Sequence, residues 1–168
     1  MPKTARRIYL SAYQSDLFNR SLARRMAAAG GDLSRLWPGD AAIRHDSGGA
    51  FLVRDVEAEQ SRADRFEVSP SGPIFGKNML RAEGREGEIE SEVLAEDGVR
   101  IEDFHVLMQG FRMKGGRRAY RAPVRELRWE LEGDSLRLSF ELPKGAYATA
   151  LLREVMKSRG AALEGGDG

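Results

Sequence analysis

Two alternating runs near the C-terminal end constrain the fold most. From Val124 the period changes: Leu127, Trp129 and Leu131 alternate with charged residues, Arg125 being the exception, and apolar and polar residues alternate from Leu136 to Leu142. A period of two is typical of half-buried β-strands, and Glu132-Gly133-Asp134 between the runs predicts a turn. The residues on the predicted apolar face are Leu127, Trp129, Leu131, Leu136, Leu138 and Phe140. Because a lone two-stranded hairpin is marginal in water, this face needs a partner.

Helical spacing flanks this hairpin on the C-terminal side and recurs near the N-terminus. The pattern predicts a helix from Ala146 to Ser158, with Gly160 as its C-cap. It predicts another from Ala12 to Ala28, where Ser11 and Gln14 have capping-box spacing. The polar face of this helix carries three arginines, at positions 20, 24 and 25.

The middle of the chain mixes short strands with short helices. Segments from Ala41 to Arg44 and from Phe51 to Val53 flank a turn and predict a β-hairpin. A helical turn or two is predicted from Asp55 to Ala63, and helical spacing predicts a short helical pair from Gly87 to Glu96 and from Ile101 to Gly110. Two prolines and two glycines between Ser69 and Gly76 predict an ordered loop without regular structure. The predicted fold class is therefore α+β.

Composition excludes several classes of protein. The 27 basic and 26 acidic residues leave a formal charge of +1, so an argument for RNA binding depends on where the cations cluster. The absence of cysteine excludes disulfides, thiolate metal sites and a cysteine nucleophile. No apolar run approaches the roughly 20 residues of a membrane span, and no signal-peptide core follows Met1. We therefore expect a cytoplasmic protein without a membrane partner.

One basic cluster is a candidate for RNA contact. The segment from Lys114 to Arg121 combines four cations with two glycines, which suits phosphate contact through an adaptable backbone. The candidate residues are Lys114, Arg117, Arg118 and Arg121, with Arg20 and Arg24 as weaker candidates. Two alternatives remain open: solvated charge for the segment, and ion pairs with nearby acids for Arg20 and Arg24. His45 and His105 have no spaced partners and predict no metal site.

Two long segments of the sequence carry a family resemblance. They are Arg7-Ile8-Tyr9-Leu10-Ser11-Ala12-Tyr13-Gln14-Ser15-Asp16-Leu17-Phe18-Asn19 and Leu142-Pro143-Lys144-Gly145-Ala146-Tyr147-Ala148-Thr149-Ala150-Leu151-Leu152-Arg153-Glu154. Both resemble stretches of the TruD family of tRNA pseudouridine synthases. Between them, in the family's order, are Pro38-Gly39-Asp40, Ser71-Gly72-Pro73-Ile74-Phe75-Gly76, Gly110-Phe111-Arg112 and Gly116-Arg117-Arg118.

The resemblance implies a domain organisation and a reaction. It implies that residues 1–123 are most of the TruD insertion domain and that 124–160 are the last hairpin and helix of the catalytic domain. The glycine-rich composition of the C-terminal residues predicts that 161–168 are a disordered tail. The implied reaction is isomerisation of uridine-13 in the D-arm of tRNA, without a cofactor. The alternative is a noncatalytic RNA-binding module that holds structured RNA by shape and phosphate.

The family's nucleophilic aspartate belongs to a Gly-x-Lys-Asp motif, which this sequence does not contain. A second family stretch, Phe-Gly-x-Gln-Arg-Phe-Gly, is also absent. Because the reaction needs an aspartate beside a flipped nucleotide, no catalytic residue can be assigned here, and we expect the chain alone to be inactive. The expected partners are tRNA and the N-terminal half of the enzyme.

Three residues near the C-terminal end acquire roles through the resemblance. Tyr147 falls where the family places an aromatic ring against the target base, and packing at the start of a helix is the alternative. Arg153 and Glu154 are expected to support the active site, with Arg153 holding a carboxylate, and a structural ion pair is the alternative.

Overall fold

The computed structural model describes residues 3–104, 114–143, 146 and 148–156. By its internal contacts the chain divides into two compact units, Met1–Arg121 (unit 1) and Ala122–Gly168 (unit 2). Both units contain helix and antiparallel sheet, which confirms the predicted α+β class. Among the described residues, no helix is long and apolar enough to cross a membrane.

The first helix of unit 1 is longer than predicted. Helix α1 spans Lys3–Ala28, so it begins nine residues before the predicted start at Ala12. Ser11 lies inside the helix, where its carbonyl accepts a hydrogen bond from Ser15 Oγ, and it is not an N-cap. The earlier start had no periodic signal because Ile8 and Tyr9 are exposed, whereas the buried stripe starts with Gln14 and Leu17.

A four-stranded antiparallel sheet lies beside α1. Its strands are β1 (Ala41–Arg44), β2 (Ala50–Leu52), β3 (Val68–Ile74) and β4 (Gly116–Ala119), in the order β2-β1-β3-β4. The register Ala42↔Phe51 confirms the predicted β1–β2 hairpin.

The prediction of an irregular loop from Ser69 to Gly76 was wrong, because these residues form most of the central strand β3. The strand changes partner along its length: Ala42 lies opposite Pro70 on one side, and Arg118 lies opposite Gly72 on the other. Proline lacks an N–H donor but keeps its acceptor, and the Pro70 carbonyl accepts the Tyr120 N–H. The strand therefore tolerates the two prolines that suggested a break.

Two further helices lie where the sequence predicted helical structure. Helix α2 spans Val56–Asp64, and its N-cap Asp55 accepts the Ala58 N–H at 3.0 Å. Helix α3 spans Gly84–Glu96 and begins three residues before the predicted start. Of the helix predicted from Ile101 to Gly110, residues 105–110 lie outside the described part of the chain.

The core of unit 1 consists of two clusters. The first joins α1, the end of β3, α3 and the segment after α3; it contains Leu17, Phe75, Met79, Val93, Leu94 and Phe104. The second joins the sheet to α2 and contains Leu36, Ala42, Val53, Ala63 and Val68.

Unit 2 contains the predicted hairpin. Strands β5 (Arg125–Glu132) and β6 (Ser135–Glu141) pair in register, with Trp129 opposite Leu138 and Leu131 opposite Leu136, and helix α4 spans Ala148–Val155. The side chains of Leu127, Trp129 and Leu131 are 54%, 64% and 69% exposed. The hairpin thus keeps a large apolar surface open to solvent.

Candidate nucleic-acid interface

The basic segment from Lys114 to Arg121 contains a strand, although the sequence suggested a flexible loop. Residues Gly116–Ala119 form β4 and pair with the second half of β3. Gly76 and Gly115 bring the two backbones together, because a Cβ on Gly76 would lie 2.5 Å from the Gly115 nitrogen. The glycines serve this close approach, and flexibility does not explain them.

Arg117 occupies the interior of unit 1, which corrects its assignment to phosphate contact. Its Nη1 lies 2.7 Å from Glu90 Oε1, and the two side chains are 1% and 6% exposed. Its Nε donates to Ser71 Oγ at 3.1 Å, and its Nη2 donates to the Ser71 carbonyl. Burial raises the pKa of Glu90 to about 7, although Arg117 opposes the shift. A phosphate cannot reach this guanidinium.

Arg121 also has an internal role instead of an exposed one. Its guanidinium donates to Ser69 Oγ at 3.0 Å and to the Val68 and Ala63 carbonyls, and it stacks 4.1 Å from the Phe66 ring. Partial burial lowers its pKa. The residue therefore ties the C-terminal end of α2 to β3.

The structure favours the ion-pair alternative for Arg20 and Arg24. Arg20 Nη2 lies 2.6 Å from Asp97 Oδ2, and Arg20 also pairs with Glu96. Arg24 Nη1 lies 2.6 Å from Glu92 Oε2. The hydrogen bond from Arg20 lowers the pKa of Asp97. These two arginines hold α1 against α3 and its C-terminal end.

Two of the predicted RNA contacts, Lys114 and Arg118, make no side-chain hydrogen bond or ion pair with a described residue. Lys114 is exposed, and the half-buried Arg118 lies with its guanidinium 5.0 Å from the Phe18 ring. Arg153 is exposed on α4. Tyr147 and the side chain of Glu154 lie outside the described residues.

Sequence reasoning missed a buried polar network centred on Arg25. This residue was expected on an exposed basic face, but its side chain is fully buried and donates to Asp40 Oδ1 at 2.6 Å and to Glu86 Oε2 at 3.0 Å. Tyr120 donates to Glu86 Oε1 at 2.5 Å, and burial raises the pKa of Glu86. The partners lie up to 61 residues apart along the chain, so no local pattern could reveal them.

A groove adjoins this network at the surface of unit 1. It has a volume of about 440 Å³ and lies where the C-terminal end of α1, the Trp37-Pro38 turn and the start of α3 meet. Its lining residues are Ala28, Ala29, Arg35, Trp37, Pro38, Gly84 and Arg85. The guanidinium groups of Arg25 and Arg85 lie 3.4 and 4.4 Å from the Trp37 ring. The groove therefore presents cationic side chains beside a tightly packed aromatic one.

Within the described ranges, no group of three histidine or acidic side chains could hold a metal ion. His45 Nε2 lies 2.7 Å from Ser69 Oγ, and His105 lies outside the described residues.

Comparison with known proteins decides the family. The family model described as tRNA pseudouridine synthase D (TruD) matches residues 1–155. The chain belongs to the TruD family. This confirms the resemblance that the two long segments suggested.

Individual TruD proteins match nearly the whole chain. A tRNA pseudouridine synthase D from Syntrophotalea carbinolica is 46% identical over 158 residues, which cover 94% of this chain and 38% of the relative. One from Thermus thermophilus is also 46% identical and covers 90% of this chain and 40% of the relative. The chain thus spans about two fifths of the length of these relatives.

A solved structure agrees with the fold. The crystal structure of a putative TruD from Methanosarcina mazei matches with a TM-score of 0.78 and 33% identity, and it covers 94% of this chain and 39% of that one.

The TruD segments recognised in the sequence have structural roles in unit 1. In Pro38-Gly39-Asp40, Asp40 binds Arg25, and Gly39 adopts a φ of +84° where a Cβ would lie 2.7 Å from the Glu83 carbonyl oxygen. In the segment from Ser71 to Gly76, a Cβ on Gly72 would lie 2.3 Å from Tyr120 Cε1. These segments therefore support the fold around the groove. The Gly-x-Lys-Asp motif of the family assigns no catalytic group among the described residues.

Proposed function

We propose that this chain is the C-terminal part of a tRNA pseudouridine synthase that isomerises uridine-13 in the D-arm of tRNA. Unit 1 would be the TruD insertion domain, and unit 2 the last hairpin and helix of the catalytic domain. The observation that carries the proposal is the 46% identity to a tRNA pseudouridine synthase D across 94% of the chain.

The geometry of unit 2 supports this proposal. Its described sheet has two strands, β5 and β6, and one face exposes Leu127, Trp129 and Leu131. Exposed apolar residues on adjacent strands are expected where a sheet continues or packs against another element. The segment that carries the Gly-x-Lys-Asp aspartate would supply that cover.

The roles of the remaining site residues follow the family. Tyr147 would stack on the flipped uracil, which contributes about 1 to 3 kcal/mol in comparable sites. Arg153, which is exposed on α4, would bind a carboxylate of the completed active site, and Glu154 would support it. The attacking or proton-accepting carboxylate would come from the upstream motif.

The alternative, a noncatalytic RNA-binding module, has less support. Four of its six candidate cations, Arg20, Arg24, Arg117 and Arg121, are engaged in contacts within unit 1. Lys114 and Arg118 are the two that stay available for phosphate.

Complementation tests the proposal. The chain is mixed with unmodified tRNA, alone or together with the separately produced N-terminal region of the Syntrophotalea carbinolica relative, and tritium release from labelled uridine is measured. We expect no turnover with either part alone and turnover with both. Replacement of the motif aspartate by Asn in the added region should abolish it. Turnover by the chain alone, or none from the mixture of two folded parts, would contradict the proposal.

A further inference from the structure

The groove between α1 and α3 carries two arginines that no carboxylate neutralises among the described residues. Arg35 is exposed, and its guanidinium makes no hydrogen bond or ion pair there. Arg85 donates to the Ala28 carbonyl at 3.3 Å and stacks on Trp37, but it has no acidic partner. Most other arginines of unit 1 are paired, so two unpaired cations in one groove are unusual for this unit.

Acids near the groove are already engaged. Glu83, directly before the groove residue Gly84, pairs bidentately with Arg54 at 2.6 and 3.0 Å. Glu86 accepts hydrogen bonds from Arg25 and Tyr120, and Asp40 accepts two from Arg25. None of these carboxylates lines the groove. The positive charge of Arg35 and Arg85 is therefore available to an external anion.

The start of α3 adds to this potential. Its N-cap Glu83 makes no side-chain capping bond, so the first N–H groups of the helix lack that partner. The helix dipole places partial positive charge at this end, where Gly84 lines the groove. Two guanidinium groups and a helix start thus favour the same kind of ligand.

The site is shaped for a phosphate and not for a base. Trp37 is 8% exposed, and the guanidinium groups of Arg25 and Arg85 stack on its ring, so little aromatic surface is left for base stacking. The stacking instead holds Arg85 in one orientation. A pre-oriented guanidinium loses less entropy when it forms the paired hydrogen bonds that phosphate accepts.

We propose that this groove binds a backbone phosphate of the tRNA substrate, with Arg35 and Arg85 as its ligands. The proposal rests on the proposed function, because it takes tRNA as the partner. It assigns RNA contact to residues outside the basic segment from Lys114 to Arg121, where the sequence had placed it.

Charge-matched variants of the chain test the proposal. Arg35→Gln with Arg85→Gln removes two positive charges from the groove, and Arg65→Gln with Arg100→Gln removes two exposed charges of unit 1 that do not line it. Binding of a tRNA transcript is measured by fluorescence anisotropy over a range of salt concentrations. The groove variant should bind about tenfold more weakly, and its log–log salt slope should fall by about 1 to 2, as expected for lost phosphate contacts. The control should stay within about twofold of the parent chain, with an unchanged slope.

The single variant Arg35→Gln distinguishes loss of a phosphate contact from loss of folding. Arg35 makes no side-chain hydrogen bond or ion pair with a described residue, so its replacement should leave the thermal unfolding midpoint unchanged and lower the slope by about 1. Equal binding by Arg35→Gln and the parent chain would overturn the proposal. Equal loss in the groove and control variants, or no tRNA binding by the parent chain, would overturn it as well.

A titration with inorganic phosphate separates an RNA site from a small-anion site. With Trp129→Phe, Trp37 becomes the sole tryptophan and reports on the groove. We expect tRNA to change the emission of Trp37 in the Trp129→Phe chain, and to leave it unchanged when Arg35→Gln and Arg85→Gln are added. If phosphate changes the Trp37 emission while replacement of Arg35 and Arg85 leaves tRNA binding unchanged, the groove is a small-anion site and the proposal is overturned.

Failure of this proposal is distinguishable from failure of the proposed function. If the complemented enzyme forms pseudouridine but the groove variant binds tRNA as well as the parent chain, only the groove assignment is wrong. If tRNA binding depends on the groove residues but no pseudouridine forms, the phosphate site is supported and the proposed function is contradicted.

Discussion

Arg117 and Glu90 form an ion pair inside unit 1, with Arg117 Nη1 2.7 Å from Glu90 Oε1. The pair joins β4 to α3, and Arg117 also donates to Ser71 of β3. An arginine that the sequence suggested for RNA contact thus fastens three elements of the fold together.

Removal of Arg117 should destabilise unit 1 strongly. Arg117→Ala leaves Glu90 buried without its cation, and loss of one partner of a buried pair costs about 3 to 5 kcal/mol. Chemical denaturation followed by tryptophan fluorescence measures the free energy of unfolding. The exposed neighbour Lys114 provides the control, since Lys114→Ala should change it by less than about 0.5 kcal/mol. Similar values for the two variants would contradict the structural role of Arg117.

The raised pKa of Glu90 predicts a pH dependence of stability. Burial raises the pKa from 4.5 to about 7, so between these values the folded state binds more protons than the unfolded state. The contribution of Glu90 to stability is therefore present below pH 4.5 and is lost as pH rises to about 7, with a span on the order of 3 kcal/mol. Glu90→Gln removes this contribution.

Measurement of the free energy of unfolding at several pH values checks this. The free energy of unfolding of Glu90→Gln minus that of the parent chain should rise from pH 4.5 to 7 and stay constant above pH 7. The other titrating groups contribute equally to both proteins and do not affect this difference. A constant difference across this range would show that Glu90 titrates normally.

Gly72 should not tolerate a side chain. A Cβ there would lie 2.3 Å from Tyr120 Cε1 and 2.9 Å from Phe18 Cδ2. Gly72→Ala should therefore lower the free energy of unfolding by about 1 to 3 kcal/mol through overpacking. Gly116 in the neighbouring strand β4 has no atom within 4 Å of its Cβ position. Gly116→Ala serves as the control and should cost less; equal costs would contradict the packing argument.

The exposed face of β5 and β6 should make the isolated chain self-associate. At about 25 cal/mol per Å² of apolar area, a few hundred Å² left uncovered corresponds to several kcal/mol of unrealised burial. We expect light scattering to show association that is reduced by Trp129→Lys with Leu131→Lys. Ile8→Lys with Met26→Lys, on exposed positions of α1, is the control and should have less effect. In dilute monomer, β5 and β6 amides should exchange faster than those of α1. A monodisperse monomer with equal protection in both regions would show that the chain covers its own core.

Sequence patterns predicted the elements that have one buried face or a local turn signal. Alternation located β5 and β6, and helical spacing located α3, because each side-chain period is set by its own element. Strand β3 was missed because two prolines suggested a break, whereas the Pro70 carbonyl still accepts a hydrogen bond and the strand changes partner midway from β1 to β4. Strand β4 was missed because two glycines at its start suggested flexibility, although Gly115, directly before the strand, serves close backbone contact with Gly76.

The polar interior could not be predicted in the same way. Arg25 and Arg117 look like surface cations from the sequence, and only tertiary contacts with Asp40, Glu86 and Glu90 bury them. Family resemblance singled out Pro38-Gly39-Asp40 but did not indicate that Asp40 binds Arg25. Arg35 and Arg85 lie far apart in the sequence, and only folding brings them to the same groove.

A chimeric enzyme tests whether this chain works as the C-terminal part of a pseudouridine synthase. The C-terminal region of the Syntrophotalea carbinolica relative is replaced by this chain, and pseudouridine in unmodified tRNA is mapped at single-nucleotide resolution. We predict pseudouridine at position 13 of the D-arm. It should be lost on replacement of the Gly-x-Lys-Asp aspartate and strongly reduced by Tyr147→Ala but not by Tyr147→Phe. A folded chimera that binds tRNA yet forms no pseudouridine, or forms it only at another position, would rule out the proposed function.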